Sequence, residues 1–122
     1  MIRVLLVDDD PLILLAAGAT LRADGGFAVR EAPTAGDALA CAAAEAFDVV
    51  LTDVHLPDLD GTALLTRLRA IPSCAATPVV FLTATASRGD AARLRALGAR
   101  GVIAKPFRPA SLAPALRELL AG

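Results

Sequence analysis

Five side chains in this sequence suit one piece of chemistry. Asp8 and Asp9 follow a first apolar run, Asp53 follows a second, Thr83 closes a third, and Lys105 closes a fourth. Three carboxylates held within a few ångströms push one another toward protonation. A hard divalent cation relieves that repulsion, and an all-oxygen ligand set selects Mg²⁺, with Mn²⁺ as its substitute. The charges of the carboxylates, the cation and the Lys105 ammonium then cancel. An incoming phosphoryl group would meet positive charge on two sides, and positioning with charge neutralisation does most of the work of phosphoryl transfer. In this reading the Asp53 carboxylate is the nucleophile and forms an aspartyl phosphate, and Thr83 hydrogen-bonds a phosphoryl oxygen. Lys105 is the single lysine beside eleven arginines. A lysine offers a compact point charge where a planar guanidinium would not fit.

Each of these residues needs an element to place it. Residues 2–7 (IRVLLV) are apolar on both faces, as an interior parallel strand should be. Asp10 then stands as an N-cap before Pro11, and a helix over LILLAAGATLRAD stops at Gly25 and Gly26. Residues 27–31 read as a weaker, alternating strand suited to a sheet edge. Residues 34–45 read as an Ala-rich helix with Thr34 as N-cap and Asp37 at its third helical position. Residues 48–52 (DVVLT) are the third strand, and after the loop VHLPDLDG a helix over about 62–70 closes before Pro72. Residues 78–83 are the fourth strand, 88–97 a helix stopped by Gly98, 101–105 the fifth strand, and 109–120 the last helix. A strand-helix unit repeated five times predicts a doubly wound α/β domain, its five-stranded parallel sheet covered by helices on both faces. Ligands of such sheets bind beyond the carboxyl ends of the strands, where all five residues fall. Pairing of the first and third strands at the sheet centre brings Asp53 beside Asp8 and Asp9.

Composition narrows the alternatives. The chain has 122 residues, 56% apolar and 20% charged, which suits one compact domain and argues against disorder. A net charge of −1 gives no general attraction to nucleic acid or to an anionic membrane. No apolar run reaches the roughly eighteen residues of a spanning helix. Residues 1–7 are no signal peptide, because their apolar stretch stops at Asp8. Cys41 and Cys74 fit neither a disulfide framework nor a paired metal or redox motif. The expectation is a reduced, soluble, cytoplasmic protein.

The segments VDDDP (7–11), TDVHLPDLDG (52–61), TAT (83–85) and KPF (105–107) stand in this order at strand ends. Together they resemble the response-regulator receiver domain of two-component signalling over essentially the whole length. Separations of 44 from Asp9 to Asp53, 30 to Thr83 and 22 to Lys105 are similar to those of single-domain chemotaxis-type receivers. The resemblance implies a flavodoxin-like sheet in the order 2-1-3-4-5 and a single receiver domain over 1–122. It implies that Asp53 accepts a phosphoryl group from the phosphohistidine of a sensor histidine kinase or histidine phosphotransfer protein. Asp9 and Asp53 would ligate Mg²⁺ directly, the main-chain carbonyl of His55 would be a third ligand, and Asp8 would act through water. Lys105 would bridge to the phosphoryl oxygens, and Lys105–Pro106 would be a cis peptide. Thr83 would move toward the phosphoryl group, and the face of the fourth helix, fifth strand and fifth helix would switch an output protein or domain. Copies could pair through that same face. Such a domain is a signalling phosphoacceptor and not an enzyme, catalysing only its own phosphorylation and dephosphorylation.

Two positions depart from the family pattern. The residue three before the lysine is usually aromatic and part of the switch, and here it is Val102, read as an ordinary buried strand residue. His55 stands two residues after the acceptor, where its side chain and that of Thr85 border the path of an attacking water. Its imidazole either tunes hydrolysis or is an exposed loop side chain that lends only its carbonyl, and the second reading is adopted. Asp10 reads as a helix cap, Asp58 and Asp60 as turn formers before Gly61, Cys41 as a small core residue and Cys74 as a free loop thiol. Leu112, Leu116, Leu119 and Leu120 lie at core spacing on the last helix.

Two rival readings use the same residues. A phosphatase resembling the haloacid dehalogenase superfamily would take Asp8 as nucleophile and Asp10 as acid/base, but it would leave Asp53 idle and lacks an acidic pair after Lys105. A flavodoxin-like cofactor binder would share the strand order, but the chain has no Trp or Tyr to flank a flavin. Within the receiver reading a stand-alone regulator is expected, with a segment of a longer regulator or hybrid kinase as the alternative.

Overall fold

The computed structural model describes residues 1–84 and 87–121. Strands β1 (Ile2–Val7), β2 (Phe27–Ala32), β3 (Val49–Thr52), β4 (Val79–Thr83) and β5 (Gly101–Ala104) alternate with helices α1 (Pro11–Asp24), α2 (Ala35–Ala44), α3 (Gly61–Arg69), α4 (Arg88–Ala96) and α5 (Pro109–Ala121). All strand pairs are parallel, and the sheet order is β2-β1-β3-β4-β5. The doubly wound arrangement and its order are as expected, with β2 at an edge. Among the described residues no helix is long and apolar enough to cross a membrane.

Alternation along the strands divides the core into two layers. Leu5 and Val7 of β1, Val50 of β3 and Phe81 of β4 meet Ala38, Leu64, Leu68 and Leu94 from α2, α3 and α4. Val4 and Leu6, Leu51 and Leu82 face the other way, onto Ala17 and Leu21 of α1 and Leu112 and Leu116 of α5. A sheet covered on both faces leaves few polar positions on its inner strands, which is why β1, β3 and β4 read as nearly continuous apolar runs, while the edge strand β2 carries Arg30 and Glu31. Leu119 and Leu120 are partly buried against the α1–α5 layer, as their spacing predicts.

Local chemistry fixes where the helices begin and end. Asp10 Oδ1 accepts from the Leu12 N–H at 2.9 Å ahead of Pro11, and Thr34 Oγ1 accepts from the Asp37 N–H at 3.0 Å. Ser87 Oγ accepts from the Asp90 N–H and donates back to Asp90 Oδ2 at the start of α4. Gly25 (φ 85°) and Gly98 (φ 113°) take the left-handed conformation past α1 and α4, which a side chain would disfavour.

Two expectations need correction. Cys74 is a free thiol as expected but does not sit in an open loop: it closes a short 3₁₀ turn (Pro72–Cys74), only 2% exposed, with its Sγ on the Ala42 carbonyl. That turn packs under α2, a contact 32 residues away in sequence that local patterning cannot reveal. Asp58 is more than a turn former, because its carboxylate accepts from the Ala35 and Gly36 N–H groups at the start of α2. Asp60 does serve locally, capping α3 through the Thr62 N–H.

Candidate functional site

Strand register places the acidic cluster. Val7 lies opposite Ala32 on one side and Thr52 on the other, so the chain leaves β1 and β3 at the same level. The Asp53 N–H donates to the Val7 carbonyl at 2.9 Å, and the Asp8 N–H to the Ala32 carbonyl at 3.2 Å. Asp8, Asp9 and Asp53 each present an oxygen, and these oxygens lie within 4.8 Å of one another. Asp8 is 1% exposed, Asp53 is half-buried and Asp9 is open to solvent. The set is all oxygen, anionic and open on one side, which fits a hard divalent cation.

Lys105 reaches this cluster from the end of β5. The Lys105 N–H donates to the Thr83 carbonyl at 2.9 Å, which fixes the lysine backbone against β4. Its Nζ then donates to Asp8 Oδ2 at 2.6 Å and to Asp53 Oδ2 at 3.2 Å. The Lys105–Pro106 peptide is cis, as the resemblance implied. Burial raises the Asp8 pKa above the ordinary carboxylate range, and the Asp53 charge adds to this. The Lys105 hydrogen bond and the Asp10 N–H oppose the rise without cancelling it. For Lys105, burial pulls the other way, but the hydrogen bond and charge of Asp8, with Asp53 behind them, outweigh it, and its pKa is raised.

The loop after β3 is shaped by two closures. Asp53 Oδ1 accepts from the His55 N–H at 3.3 Å, and the Gly61 N–H donates to the Val54 carbonyl at 2.6 Å. A Cβ at Gly61 would run into the Asp53 carbonyl oxygen, the Val54 Cα and the Phe81 ring, so glycine is required by close approach and not by φ. The His55 side chain is exposed on this loop.

Thr83 is 1% exposed at the end of β4 and shares the strand parity of Val79 and Phe81, toward the α4 side of the sheet. Thr85 lies outside the described residues. Val102 is half-buried against the α2–α3–α4 layer, an ordinary strand position. Asp10 spends its carboxylate on the Leu12 N–H. The tie from Asp58 to α2 went unread in the sequence, because a cap supplied from 23 residues away leaves no local signature.

A family model, the response regulator receiver domain, matches residues 4–117. The chain belongs to that family. Chemotaxis response regulator CheY4 of Vibrio cholerae has a similar fold, with a TM-score of 0.90, 34% identity and 98% of each chain covered. So does the receiver domain of the sensor histidine kinase PA1611 of Pseudomonas aeruginosa, described with a magnesium ion coordinated in its active-site cleft (TM-score 0.86, 31% identity, 98% of each chain). Response regulator Rre1 of Synechocystis sp. is 35% identical over 128 residues, covering 98% of this chain and 52% of its own length. The Gliding motility regulatory protein of Myxococcus xanthus is 38% identical over 104 residues, covering 85% of this chain and 13% of the relative. This receiver domain spans about half, or less, of the length of the curated relatives it matches. Membership in a two-component signalling family gives no support to the phosphatase reading.

Proposed function

We propose that residues 1–122 form one receiver domain, a phosphoacceptor switch that takes a phosphoryl group onto Asp53. The observation that carries this reading is the single lysine, which spans Asp8 and Asp53 beside a third carboxylate at the strand ends. The donor is the phosphohistidine of a sensor histidine kinase or histidine phosphotransfer protein. An Asp53 carboxylate oxygen forms the bond to phosphorus as the bond from phosphorus to the donor imidazole nitrogen breaks, and the imidazole keeps that electron pair. Asp9 and Asp53, with the His55 carbonyl, would hold Mg²⁺, and Asp8 would act on it through water. When bound, the cation supplies charge neutralisation and orientation for the phosphoryl oxygens.

The chain's own groups do the rest. Lys105 leaves its ion pair with Asp53 as that carboxylate is esterified, and its ammonium turns to the new phosphoryl oxygens. Thr83 offers its hydroxyl to another of them. The α4, β5 and α5 surface then changes and acts on an output protein or domain, or on a second copy. With Val102 in place of an aromatic ring, the change runs through Thr83 without a swinging ring. Hydrolysis of the aspartyl phosphate is the domain's own reverse step. A kinase or phosphotransfer donor of this kind supports a cytoplasmic location.

The test is phosphotransfer from a phosphorylated histidine phosphotransfer protein carrying a labelled phosphoryl group. Label should pass to the wild-type chain and not to Asp53→Asn. Label that persists in Asp53→Asn and disappears in Asp8→Asn contradicts the reading.

A further inference from the structure

The loop that begins with Asp53 is fastened at its base and at its tip, and the tip fastening crosses to another element. At the base, Gly61 N–H meets the Val54 carbonyl beside Asp53. Along the loop, Leu56 and Leu59 pack partly buried against the core. At the tip, Asp58 Oδ1 accepts from the Ala35 N–H at 3.0 Å and Oδ2 from the Gly36 N–H at 2.9 Å. The opening N–H groups of a helix have no partner inside it. In α2, Asp37 N–H is met by Thr34 Oγ1, while Ala35 and Gly36 depend on Asp58. The start of α2 is therefore capped twice, once from its own chain and once by the loop that carries the acceptor.

We propose that Asp58 is a positioning residue of the phosphoacceptor site, one that ties the 53–60 loop to α2 and so holds the Asp53–His55 segment ready for the cation. The proposal rests on the reading of Asp53 as acceptor with Mg²⁺ beside it. Without the tie, the tip keeps its two leucine contacts with the core and its base but loses its only side-chain hydrogen bonds to α2 among the described residues. The segment then samples more arrangements, and the ordering cost moves from folding to binding. Groups that orient ligands without touching the metal commonly change metal affinity by about tenfold or more.

Thr34 supplies the control. Thr34→Ala removes the other cap of the same helix and leaves the loop alone, whereas Asp58→Ala removes the tie. Mg²⁺ affinity would be measured by calorimetry on the full chain at low and at high KCl, with thermal melting alongside. Amide exchange over residues 54–60 would be followed without metal. Asp58→Ala should weaken Mg²⁺ binding about tenfold at both salt concentrations and speed exchange in the loop. Asp58→Asn, which keeps one accepting oxygen, should fall between. Thr34→Ala should melt earlier and bind Mg²⁺ like the wild type. Wild-type affinity in Asp58→Ala, equal weakening in Thr34→Ala, or an effect that vanishes at high salt would each overturn the proposal, the last by reducing it to long-range charge. A wild-type chain that binds no Mg²⁺ contradicts the functional reading instead, and the metal-free exchange rates then decide the tie by themselves.

Discussion

Asp8 bears opposing demands. It is buried, which disfavours its charge, and it faces Lys105, which needs that charge. The raised pKa shows that burial wins the balance. A group whose folded pKa lies above its unfolded value weakens the fold progressively as pH rises through that interval. Melting curves should therefore show the wild type losing stability relative to Asp8→Asn as pH climbs from the ordinary carboxylate range through the raised value. Identical pH profiles for the two proteins would contradict the assignment. Lys105 works in the opposite sense, since its raised pKa stabilises the fold at every pH below the ordinary lysine value. Replacing it with methionine strands a buried carboxylate. We expect Lys105→Met to cost about 1–3 kcal/mol at neutral pH, measured by denaturant unfolding, since an unsatisfied buried acceptor costs roughly that much. Wild-type stability in Lys105→Met would contradict this. That Lys105 mattered was legible from its being the only lysine. Its hold on Asp8 as well as Asp53 was not, because it depends on how far the end of β5 stands from β1.

The strands and helices were legible wherever chemistry is local. The N-caps Asp10 and Thr34, the glycine stops at Gly25 and Gly98, and the apolar strand runs all fall within a residue or two of their expected places. What could not be read was contact between distant segments: Cys74 under α2, and Asp58 on α2. Both depend on how the elements stack, which no window of sequence contains. Gly61 lies between these cases. Its place after Asp60 marked a turn, but the need for a missing side chain comes from Asp53, Val54 and Phe81 closing around it. Gly61→Ala should therefore act on the site as well as the fold. We expect about 1–3 kcal/mol of destabilisation, the usual cost of overpacking, together with loss of Mg²⁺-dependent phosphorylation. Leu64→Ala, buried in α3, offers the contrast: about 2–5 kcal/mol from a cavity, with phosphorylation retained in the folded fraction. Equal loss of phosphorylation in both variants at a temperature where both are folded would contradict a specific part for Gly61.

Across the whole molecule, the formal charge of −1 conceals a division. Of thirteen acidic residues, all but Asp90 and Glu118 precede Gly61, and of twelve cationic ones, all but Arg3, Arg22 and Arg30 follow it. In the sheet, β2, β1 and β3 lie on one side and β4 and β5 on the other, and the two halves meet where Lys105 pairs with Asp8 and Asp53 and Arg117 with Asp24. Arg3 and Arg30 are paired with Glu45 and Arg22 with Glu31, while Arg88, Arg93 and Arg95 of α4 have no ion pair among the described residues. A local field of one sign can govern association even when net charge is near zero. The domain should be retained on a cation exchanger at neutral pH and low salt, and Arg88→Glu with Arg93→Glu and Arg95→Glu should abolish retention. Passage of the wild type without delay would contradict the division as a surface property.

All three scales meet at the acceptor. Strand register sets Asp53 beside Asp8, the loop closures hold it, and the single lysine spans the two carboxylates. The direct measurement is intact-protein mass after incubation with acetyl phosphate, with and without Mg²⁺, for the wild type and Asp53→Asn. One added phosphoryl group, present only with Mg²⁺ and absent from Asp53→Asn, is the predicted result. A phosphoryl group carried by Asp53→Asn, or one gained equally well without the cation, would contradict the account.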